Sequence, residues 1–244
     1  GLILFIVSLA KQIRLNQRQQ NFIDSVTHEL KSPLTSLKLH LETMKMRQLP
    51  PEKQAEFTQL MLADVERLNL LIDHVLEAAR VEQQRRDYAI APIPLEPVVA
   101  SVVADVCRRH QLPEGCVTMV GEPLEAQADP VALEMVLTNL VENAVKYSRD
   151  EVQVTVRIFD GGEGKAAIAI SDTGVGIPRS QIKRIFRRFH RVGNELTRTR
   201  KGTGLGLYIV KENLKNMHGT IRAESPGENQ GSIFTLTLPG GRRG

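Results

Sequence analysis

Six histidines are spread through this 244-residue sequence, and one of them, His28, has a setting that could do chemistry. It stands in the run Thr27-His28-Glu29-Leu30-Lys31-Ser32-Pro33. An exposed imidazole beside a carboxylate can act as a nucleophile if the carboxylate takes or orients the ring proton. Pro33 lies one turn further along, where a helix-interior proline costs about 3 kcal/mol and kinks the helix. Drift would seldom leave such a residue in a good helix. Taken alone, an ordinary surface histidine is still the simpler reading of His28. His40, His74, His110, His190 and His218 lack a comparable setting.

A second group lies between Asp129 and Ser148. Asn139 and Asn143 are four residues apart and share one helix face, with Glu142 and Lys146 beside them. Two amides and an ammonium on one face could hold a hydrated Mg²⁺ and a phosphate chain, since Mg²⁺ keeps several waters and takes few protein ligands. Two asparagines inside a helix run against propensity, which argues against a plain solvated face. Further on, Asp172-Thr173-Gly174-Val175-Gly176 follows an apolar strand. Glycines there let backbone approach a ligand, and the Asp could accept a hydrogen bond from an exocyclic amine such as that of adenine. By itself this motif is weak and fits a simple turn.

Gly202-Thr203-Gly204-Leu205-Gly206-Leu207 opens a later helix, where backbone N–H groups could cradle phosphates. The pattern is neither a P-loop nor a dinucleotide fingerprint. Between the two glycine segments lie Lys183, Arg184, Arg187, Arg188, Arg191, Arg198, Arg200 and Lys201, with Glu195 the one acid from Gln181 to Lys201. A basic loop between phosphate-facing turns suits a lid over a polyanion. A solvated basic run is the competing reading.

These residues need elements to position them. From Gln12 to Arg47, Ile23, Thr27, Leu30, Leu34, Leu37, Leu41 and Met44 step by four and three, a heptad seam. His28 then sits at a solvent-facing position next to that seam. Leu49-Pro50-Pro51 breaks the helix, and a second is expected over about Glu52 to Arg86, with a seam of Met61, Val65, Leu68, Ile72, Val75 and Ala79. A two-helix hairpin is short of core, so a homodimer burying both seams is expected. The heptad is lost near Gln83 to Pro94, which reads as a linker running into a strand. Beyond it, helices are expected at Leu95–Gln111, Pro130–Tyr147 (capped by Asp129), near Ser180–Phe189 and at Thr203–Met217. Strands are expected at Cys116–Val120, Val152–Phe159, Lys165–Ser171, Thr220–Glu224 and Gly231–Leu238, an antiparallel-looking set. Mixed this way, they form a two-layer α/β sandwich, and the whole chain is of α+β class.

Composition narrows the function classes. There is no Trp, aromatic content is 4% and net charge is +4, unlike a nucleic-acid platform that stacks bases on aromatic rings, so no nucleic-acid partner is expected. Cys107 and Cys116 have no metal-type spacing and suit a reducing compartment. Gly1 to Ala10 carries no charge, and Lys11, Arg14 and Arg18 follow. As a helix, ten residues span about 15 Å, half a bilayer core. The run resembles the cytoplasmic exit of a transmembrane helix whose earlier part precedes Gly1, so a membrane anchor through that missing segment is expected.

Together the motifs resemble the sensor histidine kinases of bacterial two-component systems, from about Asn21 to Pro239. Phe22 to Leu34 looks like the phosphoacceptor box and Asn139 to Tyr147 like the N box. Asp172 to Ile177 is similar to the G1 box, Ile185 to Arg191 to the F box, and Gly202 to Leu207 to the G2 box. Five boxes in the family's order make a specific match. The resemblance implies ATP-dependent autophosphorylation on His28, with Glu29 assisting as base, and phosphoryl transfer to an aspartate of a response regulator receiver domain. It implies Asn143 as the Mg²⁺ ligand with Asn139 nearby, and Lys146 and Arg191 on phosphates. It implies Tyr147 along the adenine and Asp172 on its amino group. Gly174 and Gly176 shape the G1 turn, and Gly202, Thr203, Gly204, Leu205 and Gly206 shape the lid.

The expected plan is the end of a membrane helix at 1–10 and a dimerising phosphotransfer hairpin at 11–86, forming a four-helix bundle in the dimer. A linker at 87–94 and an ATP-binding domain at 95–244 follow. The site is the cytoplasmic side of a bacterial inner membrane. Two departures stand out. Ser32 occupies a position linked to dephosphorylating the partner, where Thr or Asn is more usual, so weak phosphatase activity is expected. His190 replaces a more usual Tyr. An ATPase or a non-catalytic dimer module of the same sandwich superfamily is the alternative; the His28 box argues against the first and five intact boxes against the second.

Overall fold

The first helix, α1 (Leu2–Met46), runs unbroken for 45 residues and takes in the uncharged N-terminal run as well as the expected seam. This computed structural model describes residues 1–46, 49–82, 87–149, 151–188, 190, 192 and 204–242. Pro33 lies buried inside α1. The helix α2 (Pro51–Glu82) starts on its proline, where the missing N–H has no helical partner to lose. The seam divides into two sets. Leu30, Leu37, Met44, Met61, Leu68 and Val75 are partly covered within the hairpin. Ile23, Leu34, Leu41, Val65 and Ile72 stay exposed. Among the described residues no helix is long and apolar enough to cross a membrane.

Among the described residues, the rest is a seven-stranded sheet carrying three helices. Its strands are β1 (Ala91–Pro94), β2 (Val117–Gly121), β3 (Leu124–Ala128), β4 (Val154–Gly162), β5 (Lys165–Asp172), β6 (Thr220–Glu224) and β7 (Ser232–Arg242). The helices are α3 (Leu95–Arg109), α4 (Pro130–Tyr147) and α5 (Gly206–Asn216). The order across the sheet is β1-β3-β7-β5-β4-β2, and β6 also pairs with β7. Side chains in β4 alternate, with Val154, Val156 and Ile158 buried and Thr155 and Arg157 exposed. The buried set meets Leu133, Val136, Leu137, Leu140 and Val141 of α4 in the core. One covered face and one wet face make two layers.

Three expectations need correction. The sheet is mixed, because β2 runs parallel to β4. The strand β3 was not foreseen: LEAQA alternates, but its inward positions include alanines, too small to mark it as apolar. Residues 180–187 form successive turns, Gln181 N–H to Pro178 O and Arg184 N–H to Gln181 O among them, and not a helix. Ala91–Pro94, at the end of the expected linker, pairs along Leu124-to-Ala128 as an edge strand, where prolines are tolerated. Residues 83–86 of that linker lie outside the described residues. By contacts the chain divides into two units, Gly1–Leu76 and Glu77–Arg200 with Gly204–Gly244.

Candidate functional site

On the hairpin, the imidazole of His28 is exposed. Glu29 is next along the chain but about 100° further round the helix, which turns it toward α2. There its carboxylate accepts a hydrogen bond from Nη2 of Arg67 at 3.1 Å. Only 11% of the Glu29 side chain is exposed, so a cation at this point offsets the loss of water around the charge. Ser32, one turn on from His28, is half-buried.

In the sheet unit, α4 begins where the Asp129 carboxylate accepts the N–H of Ala132, and Pro130 fills the first helical position. The cap holds Asn139 and Asn143 at a set height. Asn139 is buried and donates from Nδ2 to the carbonyl of Met135 at 2.9 Å. Its Oδ1 faces Gly206 so closely that a Cβ on Gly206 would sit 2.6 Å away, and Nδ2 of Asn143 would be 4.0 Å from the same point. Asn143 and Lys146 are half-buried. The Lys146 ammonium lies 5.4 Å from the ring centroid of Tyr147.

Asp172 ends β5 with its carboxylate buried. Oδ1 accepts the N–H of Gly174 at 2.8 Å, and Oδ2 accepts the hydroxyl of Ser232 at 2.5 Å. The following loop is pressed against the end of α4, since Val175 N–H donates to the Tyr147 carbonyl at 3.0 Å. On its other side it meets the turn between β6 and β7. Asn229 N–H bonds the Val175 carbonyl at 2.7 Å, and Gly231 N–H bonds that of Gly174 at 3.1 Å. Gly176 has φ of +67°, and a Cβ there would lie 2.1 Å from the Gly227 carbonyl. Gly204 has φ of +69° and Leu205 is fully buried just before α5.

The fold therefore brings Asn139, Asn143, Lys146, Tyr147, Asp172, Gly174, Gly176, Gly204, Leu205 and Gly206 to one end of the sheet unit. Arg191, Gly202 and Thr203 lie outside the described residues, as do Phe189, Arg198, Arg200 and Lys201. Sequence reasoning missed Arg67, Ser225 and Ser232. For the two serines a signal existed: Ser225-Pro226-Gly227 and Gly231-Ser232 bracket a turn just before an alternating strand.

Two family models match this chain in chain order. Residues 18–84 match the His Kinase A (phospho-acceptor) domain. Residues 128–242 match the "Histidine kinase-, DNA gyrase B-, and HSP90-like ATPase" family. The chain belongs to the sensor histidine kinase family. Among curated relatives of this histidine kinase, the sensor protein kinase WalK of Staphylococcus epidermidis is 29% identical over 245 residues, which cover 98% of this chain and 39% of WalK. The chain thus spans well under two thirds of that relative's length. The solved mycobacterial sensor histidine kinase MprB is 27% identical with a TM-score of 0.54, covering 62% of this chain and 98% of that one. The histidine kinase ThkA, solved in complex with the response regulator protein TrrA, shares the fold at 20% identity and a TM-score of 0.65, over 95% of this chain and 66% of that one. The family's paired domains account for both units, an exposed histidine on one and an amide-carboxylate-glycine site on the other.

Proposed function

We propose that this histidine kinase binds ATP with Mg²⁺ at the end of α4 and transfers the γ-phosphoryl group to His28. The observation that carries the reading is the convergence of Asn139, Asn143, Asp172 and Gly206, drawn together by glycines that leave no room for a side chain. The donor set fits the ligand. A carboxylate has about four acceptor sites. Two on Asp172 are used by Gly174 and Ser232, which leaves capacity for an adenine amine. An amide oxygen on Asn143 suits a hard cation that retains most of its water. Mg²⁺ supplies neutralisation of the phosphate charge that develops during transfer.

In the transfer a lone pair on one ring nitrogen of His28 attacks the γ-phosphorus, and the bond from that phosphorus to the bridging oxygen breaks, leaving ADP. Glu29, held by Arg67, keeps a negative charge near the ring that assists loss of its proton and stabilises the cationic ring as it forms. The phosphoryl group then passes to an Asp carboxylate of a response regulator receiver domain docked near His28, a step that needs positioning more than a new catalytic group. Two copies of the chain pair through the exposed Ile23, Leu34, Leu41, Val65 and Ile72, which a single hairpin leaves in water. The domain plan stays that of the sequence: a membrane-anchored kinase with this portion in the cytoplasm, a phosphotransfer hairpin at 11–86, a linker beginning at 87, and the ATP-binding domain. Ser32 orients a water for weak phosphatase activity.

Two variants test this machinery. Asn143→Ala should lose Mg²⁺-dependent nucleotide binding with little cost to the fold, because Ala is the better helix former. Calorimetry with a non-hydrolysable ATP analogue reads it, and unchanged affinity sinks the assignment. Arg67→Ala removes a partner that fixes Glu29, so labelling of His28 by γ-labelled ATP should slow by about tenfold or more, within the roughly hundredfold that a misplaced group can cost. Nucleotide affinity should not change. Equal labelling rates would show that Arg67 serves the hairpin's packing only.

A further inference from the structure

We infer that Ser225 is a positioning residue for the adenine-facing loop, acting through Ile177, and that it sets how well the site distinguishes adenine from other bases; the inference rests on the ATP reading above. Ser225 follows β6 and is buried. Its Oγ accepts the N–H of Ile177 at 3.0 Å and donates to the carbonyl of Gly231 at 2.7 Å, with the Gly227 carbonyl at 3.2 Å. A hydroxyl has one proton to give and two lone pairs. This one spends its proton inside its own turn and a lone pair on the loop that carries Asp172.

The loop depends on such ties. Between Asp172 and Ile177 it has two glycines, and Gly176 stands at positive φ, so the chain there has little intrinsic preference for one path. Its other bonds to the β6–β7 turn, from Asn229 and Gly231, are backbone to backbone. The tie at Ile177 runs through a side chain, and it closes the end of the loop remote from Asp172. Ser225 also borders a cavity of about 450 Å³ lined by Arg179, Ser180, Ile182, Lys183, Ala223 and Glu224. Once the hydroxyl is gone the Ile177 N–H loses this partner and the loop is free to slip. A slip changes the angle at which the Asp172 carboxylate meets a base, while the phosphate contacts on α4 stay in place.

The test is a titration of the full chain with Mg·ATP and with Mg·GTP, for wild type, Ser225→Ala and Ser225→Thr. Ser225→Ala should lower the ratio of ATP to GTP affinity by about fivefold or more, the effect of a displaced hydrogen-bonding partner. Ser225→Thr keeps the hydroxyl and should hold the ratio within about twofold of wild type. A general loss of folded protein weakens both nucleotides alike and leaves the ratio unmoved. Should Ser225→Ala not fold, Ser225→Cys, with a weak thiol donor, takes its place and should also lower the ratio. An unchanged ratio in Ser225→Ala or its Cys substitute overturns the role of Ser225 alone, and so does a Thr variant as impaired as the Ala one. A wild type that binds neither nucleotide overturns the ATP reading as well.

Discussion

His28→Gln should take up no label at all from γ-labelled ATP while binding nucleotide as wild type does. Gln has no ring nitrogen to attack phosphorus, so the loss is of the acceptor itself and not of a contribution to rate. The fold should hardly notice. His28 is exposed on α1, and surface substitutions away from special features usually stay within about 0.5 kcal/mol. Gln is also at least as good a helix former as His. The residues proposed to bind nucleotide, Asn139, Asn143 and Asp172, are all in the other unit. Wild-type label should survive alkali and be lost in acid, the signature of a phosphoramidate. Label on the Gln variant, or acid-stable label on the wild type, would place the acceptor elsewhere.

Gly174→Ala should abolish measurable ATP affinity through sterics alone. A Cβ at 174 would lie 2.1 Å from the Tyr147 carbonyl oxygen and 2.7 Å from Oδ1 of Asp172. The first is backbone of α4 and the second is the carboxylate assigned to adenine, so neither can yield cheaply. Relief requires the loop to leave α4, and that breaks the Val175-to-Tyr147 hydrogen bond and the Gly174-to-Asp172 bond together. Overpacking of this kind costs roughly 1–3 kcal/mol, and the upper end is about a hundredfold in affinity. The variant should unfold at a lower temperature yet keep its helical signal. Affinity within threefold of wild type, by calorimetry, would mean that the loop's contact with α4 is not part of the site.

Much of this protein was legible in its sequence, for local reasons. The two long helices follow from a step of four and three that only a helix turns into one stripe. The start of α4 follows from Asp129 and Pro130, whose preferences act within four residues. The hairpin of β4 and β5 follows from Gly161-Gly162-Glu163-Gly164, where Gly162, Glu163 and Gly164 all take positive φ. Spacing also put Asn139 and Asn143 on one face, whereas His28 and Asp172 stood out over their simpler readings only through the family resemblance of their motifs.

Tertiary structure decided what depends on partners far along the chain. Nothing near Lys183 announced that 180–187 would make turns in place of a helix, because basic residues are good helix formers and packing overrode them. The strand β3 exists because β1 and β7 pair with it on either side, and its own alanines carry no strand signal. The same holds for the site's supports. Arg67 meets Glu29 across 38 residues, Ser225 meets Ile177 across 48, and Ser232 meets Asp172 across 60. A side chain's type limits what it can bond, but which partner it bonds at such separations is set by strand register and helix packing. The sequence by itself determined the candidate reacting groups and the helices and turns that carry them; only strand register and helix packing determined which serines and which arginine meet those groups.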